Sequence, residues 1–405
     1  MTNLLSFASV MRSIGGVLLA ILILLAMVTV HEFGHYIAGK ILHFKINEFS
    51  VGFGPAIFKK RSKKTGELFA LRVIPLGGYC AFDGEDEEET AEEEKKEEPF
   101  SEYEQEPLAE ENEGGRVASN EEYPQPQGER FNDQPPWKRI IVLLAGATMN
   151  YFLALLLILL AFTCIGRPVY EVVAPPENWQ PSKPPLVENT LPEEERLRTG
   201  DVILKIDGKS AYLITDYMDA LKGKKAGEVV ELTVLRGGEE RISKIMLVQN
   251  ADFVNLSDTY SLLYAMDIYG LTTQSVRQGF FSNIGHSFAY SVKIGGTVLR
   301  SLGELLTGKL GLDAMGGPIT TIQITSQAAS AGVASFLNIA AFIGVNLAVF
   351  NLLPIPALDG SKVVFCIIEW IRKKPVNRKV EAMIHFIGLL FIFGFAILVD
   401  LLQLF

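Results

Sequence analysis

The chain has 405 residues, with 37 Lys+Arg against 47 Asp+Glu and a formal net charge of −10. Residues 83–133 alone hold 21 acids against Lys95, Lys96, Arg116 and Arg130, a net of −17, so the rest of the chain carries +7. The overall acidity therefore says nothing about partners, and aliphatic runs too long for an ordinary core exclude a purely cytosolic globular enzyme. Cys80, Cys164 and Cys366 have no paired or metal-type spacing, which supports neither a disulfide framework nor a thiolate zinc site.

Gly16–Val30 contains no ionisable group. His31-Glu32 follows where a secretory signal would show small residues, so residues 1–41 read as a retained membrane helix. Phe44–Phe82 alternates in strand fashion about a Lys63-Lys64-Thr65-Gly66 turn, which predicts a β-hairpin within 42–82. Residues 83–136 are rich in Glu, Gln, Pro and Asn and poor in aliphatics, the composition of a disordered acidic tract. A second membrane helix is expected over 137–165, with Asn150 as its one strongly polar interruption.

A small soluble α+β domain follows, bounded at 166–250. Its signals are a strand at Asp201–Ile206, a short helix at Thr215–Leu221 and a reversal at Arg236-Gly237-Gly238-Glu239. Residues 251–333 read as a linker carrying an amphipathic helix, Phe280–Leu306, that lies along a membrane surface or packs on the bundle. A third membrane helix over 334–360 is broken by Pro354 and Pro356. Residues 361–382 read as a basic loop and 383–405 as the fourth membrane helix. Lys and Arg crowd the connections after the first span, before the second and between the third and fourth. That bias places those connections in the cytoplasm and the 166–250 domain outside. The expected fold class is a polytopic α-helical membrane protein with four transmembrane helices, in the cell membrane.

His31-Glu32-Phe33-Gly34-His35 is the strongest chemical signal. On a helix, positions i and i+4 share a face, so both imidazoles can reach one metal ion while Glu32 stands beside them as a base. Ionisable groups at membrane depth are costly and mark function by default. A catalytic zinc needs a third protein ligand and an open position. His43, His286 and His385 are available, but Asp359, at the end of an apolar, proline-broken segment, is the better candidate. Capping of a helix end is the alternative reading of Asp359.

His-Glu-x-x-His in the first span and Asn351-Leu-Leu-Pro-Ile-Pro-Ala-Leu-Asp-Gly360 in the third, around an intervening PDZ-like domain, resemble the bacterial site-2 proteases. These are intramembrane zinc metalloproteases of the regulator of sigma-E protease type. Val51-Gly-Phe-Gly-Pro55 and Pro75-Leu-Gly-Gly-Tyr79 are similar to that family's membrane-associated β-loop. Ala145-Gly-Ala-Thr-Met-Asn150 is similar to the start of its second helix, and Gly317-Pro318-Ile319 to the segment before its third. The resemblance implies Zn2+ held by His31, His35 and Asp359, with Glu32 as the general base. It also implies that Asn351 and Asn346 hold the substrate backbone. The implied partners are single-pass transmembrane substrates such as anti-sigma factors or remnant signal peptides, within the lipid bilayer, with no nucleic acid and no nucleotide. The implied placement has the active site toward the cytoplasmic side and the PDZ-like domain extracytoplasmic. Two departures stand out: Glu195-Arg196 replaces the usual Ala-Gly before Gly200-Asp201, and the acidic tract is not a family hallmark. The rival reading from another class is a metal transporter or sensor using the same ligands; it has no need of Glu32 as a base.

Overall fold

The computed structural model describes residues 2–85, 123–174, 185–250, 259–268, 270–312 and 315–404. The chain forms two compact units, 1–151 with 315–326 and 347–405, and 152–314 with 327–346.

In the first unit, α1 (Thr2–Ile41) leads into a long antiparallel hairpin, β1 (Ile46–Arg61) with β2 (Leu68–Phe82). The expected turn closes it, with Gly66 at φ +76°, a left-handed conformation that a side chain resists. Glu67, only 2% exposed, fastens this turn to α1: it accepts from Tyr36 Oη at 3.0 Å and from Lys40 Nζ at 2.6 Å. At the other end of the hairpin, Phe44, Ile46, Cys80 and Phe82 pack with Phe131, Val142, Leu143 and Cys366. Burial of these apolar groups ties the hairpin base to the helices.

Phe131 corrects the expected extent of the acidic tract. It is buried against the rings of Phe44 and Phe82, and Glu129 exchanges backbone hydrogen bonds with His43 and Lys45. An average over composition hid this anchoring aromatic. Residues 86–122 of the tract lie outside the described residues.

Helix α2 spans Pro136–Cys164, α6 Pro318–Ala331, α7 Val333–Leu352, α8 Asp359–Arg372 and α9 Arg378–Leu404. Among the described residues, four segments are long and apolar enough to cross a bilayer: Ile14–Ile41, Pro136–Cys164, Val333–Leu352 and Arg378–Gln403. Between 11% and 33% of each apolar window is buried; such a surface needs lipid rather than water around it. Two boundaries shift from those expected. The third span stops at Leu352, because Pro354 and Pro356 cannot continue the hydrogen-bond ladder. The stretch expected as a basic loop over 361–382 is largely helical, since α8 runs to Arg372 and α9 starts at Arg378.

Among the described residues of the second unit, six strands form one antiparallel sheet. They are β3 (Arg167–Val172), β4 (Val202–Ile206), β5 (Lys209–Ser210), β6 (Val229–Arg236), β7 (Glu239–Met246) and β8 (Leu271–Val276). The order is β7-β6-β4-β3-β8, with β5 beside β4. Helices α3 (Ile214–Leu221) and α4 (Thr259–Ala265) supply Tyr217, Leu221, Leu262 and Leu263 to its core. Asp201, fully buried, receives Arg236 through two contacts of 2.6 Å. The sheet runs on to Val276, past the boundary at 250. The strand β8 escaped notice because its burial does not alternate, leaving no period-two pattern to read.

Helix α5 covers Phe280–Leu306. Within its unit it docks through Lys293 on Asp216, Arg300 on Asp219 at 2.7 Å, and His286 against Tyr212 Oη at 2.6 Å. Its opposite face leaves Phe281, Ile284, Phe288 and Val292 exposed. Residues 251–333 are thus mostly structured rather than a linker.

Candidate metal centre

The His31/His35 pair lies ten residues before the end of α1, where the helical repeat stacks the two rings on one face. Their Nε2 atoms are 3.1 Å apart and the ring planes are nearly perpendicular, at 83°. Asp359, in the first turn of α8, brings Oδ2 to 3.0 Å from His31 Nε2 and 3.4 Å from His35 Nε2. The three ligand atoms all lie within 4.8 Å of one another. Two imidazole nitrogens and one carboxylate oxygen converging on a point are the donor set of a catalytic zinc site with a position left for water.

The broken segment between α7 and α8 is what turns Asp359 inward. Ala357 takes φ +76°, and its N–H donates to His385 Nδ1 at 3.1 Å. A Cβ on Gly360 would run into the carbonyls of Leu352 and Leu353, so the chain folds back at a radius only glycine permits. His385 is thereby spent on shaping the turn. His43 sits at the hairpin entry with φ +64°, and His286 belongs to the α5 contact, so among the described residues Asp359 is the group that meets both histidines. It stands in the first turn of α8, but Leu358 occupies the cap position and no side-chain cap bond is made there.

Glu32 is half-buried between the histidines and β2. A Cβ on Gly78 would press on Glu32 Cγ and on the Ser50 carbonyl. The glycine lets strand backbone approach the motif closely. Helix α2 comes equally near on the other side: a Cβ on Gly146 would collide with both imidazoles, and one on Gly34 with the Ala145 carbonyl.

The other ring nitrogens are also occupied. His35 Nδ1 lies 2.8 Å from the Val142 carbonyl; an N–H there leaves Nε2 as a lone pair facing the ligand point. His31 Nδ1 stands 3.4 Å from the amides of both Asn351 on α7 and Asn150 on α2. Asn351 is expected near the site, whereas Asn150 is expected as a polar interruption and as the last residue of the family-like Ala145–Asn150 segment, with no site role. Asn346 precedes Asn351 by five residues on α7, about 140° round the helix, so the two do not share a face.

The Peptidase family M50 model matches residues 19–395. The chain is 27% identical to the regulator of sigma-W protease RasP of Bacillus subtilis, over 92% of this chain and 94% of that one. It is likewise 27% identical to the zinc metalloprotease RasP of Bacillus licheniformis, with 92% and 94% covered, and 26% identical to that of Geobacillus kaustophilus, with 90% and 91% covered. The chain belongs to peptidase family M50. It is a multi-pass membrane metalloprotease whose cofactor is zinc.

Proposed function

We propose that the protein is an intramembrane endopeptidase that cuts transmembrane segments of single-pass membrane proteins, with anti-sigma factors and remnant signal peptides as the substrate types. The convergence of His31, His35 and Asp359 beside Glu32, at the end of an apolar helix, carries this reading. In it these three residues hold the zinc, which when bound activates water and polarises the scissile carbonyl. Glu32 accepts the proton that water loses on attack and returns it to the departing amine, so one water is consumed as a carboxylate and an amine form.

A helical substrate must first unwind, which frees backbone groups that cannot remain unpaired in lipid. Pairing with the β1–β2 hairpin restores those bonds; Asn351, beside His31, is assigned to hold the substrate backbone, and Asn346 could do so only from another face of α7. The Lys/Arg bias puts the active site toward the cytoplasm and the sheet unit outside. That unit, PDZ-like in sequence, serves as a gate on access, since it supplies none of the three ligands.

The test is Glu32→Gln, which keeps shape but cannot take a proton. Detergent-purified variant should retain about one zinc per chain, by elemental analysis, and fail to cleave a model transmembrane substrate. Normal cleavage by this variant would overturn the mechanism and favour the metal-transport reading.

A further inference from the structure

Helices α2, α8 and α9, the Ala357 turn with His385, and the segment around Phe131 line a cavity of about 340 Å³. Arg139, Lys362 and Arg378 line it, with Glu85 and Glu381. Lys362 pairs with Glu85 at 2.7 Å and Arg378 with Glu381 at 2.9 Å. Glu369 bonds Arg139 and lies 3.7 Å from Arg378. Carboxylates and cations are therefore matched in number, and net charge does not define what the cavity takes.

Unused donors define it instead. Arg139 is 1% exposed, yet both Nε and Nη1 lack any hydrogen-bond partner, as does Nε of Arg378. A guanidinium offers five N–H donors in a fixed fork, suited to an oxyanion that accepts two at once. Buried donors left idle are rare and call for an acceptor.

Part of the lining is apolar. Leu143, Phe386 and Leu389 line it, and Phe386 and Leu389 are 61% and 44% exposed on the face of α9 that continues into Leu390 and Phe393. The polar end lies at the first turn of both α2 and α9, the depth at which lipid headgroups sit; basic pockets between membrane helices recognise them. We infer that this cavity binds the phosphate of an anionic phospholipid, with Arg139 and Arg378 on the phosphate oxygens and the acyl chains along Phe386 and Leu389. Inorganic phosphate would engage the same donors but leave the apolar lining uncovered.

The test uses full-length protein, delipidated in detergent and offered dioleoylphosphatidylglycerol, dioleoylphosphatidylcholine or inorganic phosphate. Retained lipid is counted by native mass spectrometry and thermal stability is followed in parallel. Phosphatidylglycerol should be retained about tenfold over phosphatidylcholine, a preference worth about 1.4 kcal/mol, and phosphate alone should not stabilise. Arg139→Gln should abolish the preference. Because losing the contact to Glu369 can unfold the protein, Ala382→Trp, which adds bulk at the cavity lining and removes no ion-pair partner, should abolish it independently. Equal retention of the two lipids, full retention by Ala382→Trp, or stabilisation by phosphate matching that of phosphatidylglycerol would each overturn the lipid assignment.

Discussion

The side-chain amide of Asn150, 1% exposed on α2, stands 3.4 Å from His31 Nδ1, while its Oδ1 has no partner at all. Turning the amide over resolves both facts. Oδ1 then accepts a hydrogen bond from Nδ1–H, which fixes the tautomer whose Nε2 lone pair faces His35 and Asp359. Val142 does the same for His35 through its carbonyl.

Asn150→Leu should therefore weaken zinc binding about 10- to 100-fold, the usual cost of losing an outer-shell partner, without changing helix content. Competition with a chelator measures it. Asn150→Asp, which keeps an acceptor oxygen, should restore most of the affinity; equal loss in both variants would show that the oxygen is not the feature that matters.

Glu67 should control the hairpin. Glu67→Ala removes the acceptor shared by Tyr36 and Lys40, about 1–3 kcal/mol for charge-assisted bonds. Amide hydrogen exchange should rise across β1 and β2 with zinc content unchanged. Unaltered exchange in the hairpin would mean that its base alone holds it.

The start of α6 depends on a residue near the end of the chain. Asp400 accepts from the N–H groups of Ile319 at 3.0 Å and Thr320 at 3.2 Å, satisfying donors that a helix N-terminus leaves open. Asp400→Ala should lower stability by about 1–2 kcal/mol, as loss of an N-terminal cap does. Gly317→Ala should be at least as harmful, since a Cβ there would strike the Asp400 carboxylate. Thermal unfolding in detergent compares the two.

Within the sheet unit, Asp201→Asn should be the most damaging conservative change. It leaves Arg236 facing a neutral amide where a buried carboxylate had matched it, and breaking one side of a buried pair costs about 3–5 kcal/mol. Proteolysis of residues 185–276 at a temperature the wild type tolerates is the measurement.

How far the sequence could be read depended on whether a feature was periodic. His31 and His35 fall one helical turn apart, and the four apolar runs are long, so motif and spans were legible from spacing. Asn150 was visible only as a blemish in a run, because nothing local to it records a histidine 119 positions away. Helix α8 hid behind its flanking Lys and Arg, although Val364, Ile367 and Ile371 recur at helical spacing. Phe131 was lost among acids, and β8 lacked alternation. The misses at Asn150 and Phe131 concern contacts between segments distant in sequence.

His31 and Asn351, although they meet, are 320 positions apart, and Asp359 is later still. The first-made and last-made parts of the chain thus share one cluster. During synthesis the histidines and Glu32 enter the membrane long before their acidic partner exists, so a growing or truncated chain holds at most an incomplete ligand set. The carboxylate completes the set only when α8 has joined α1, so metal uptake becomes a chemical signal that α8 is in place.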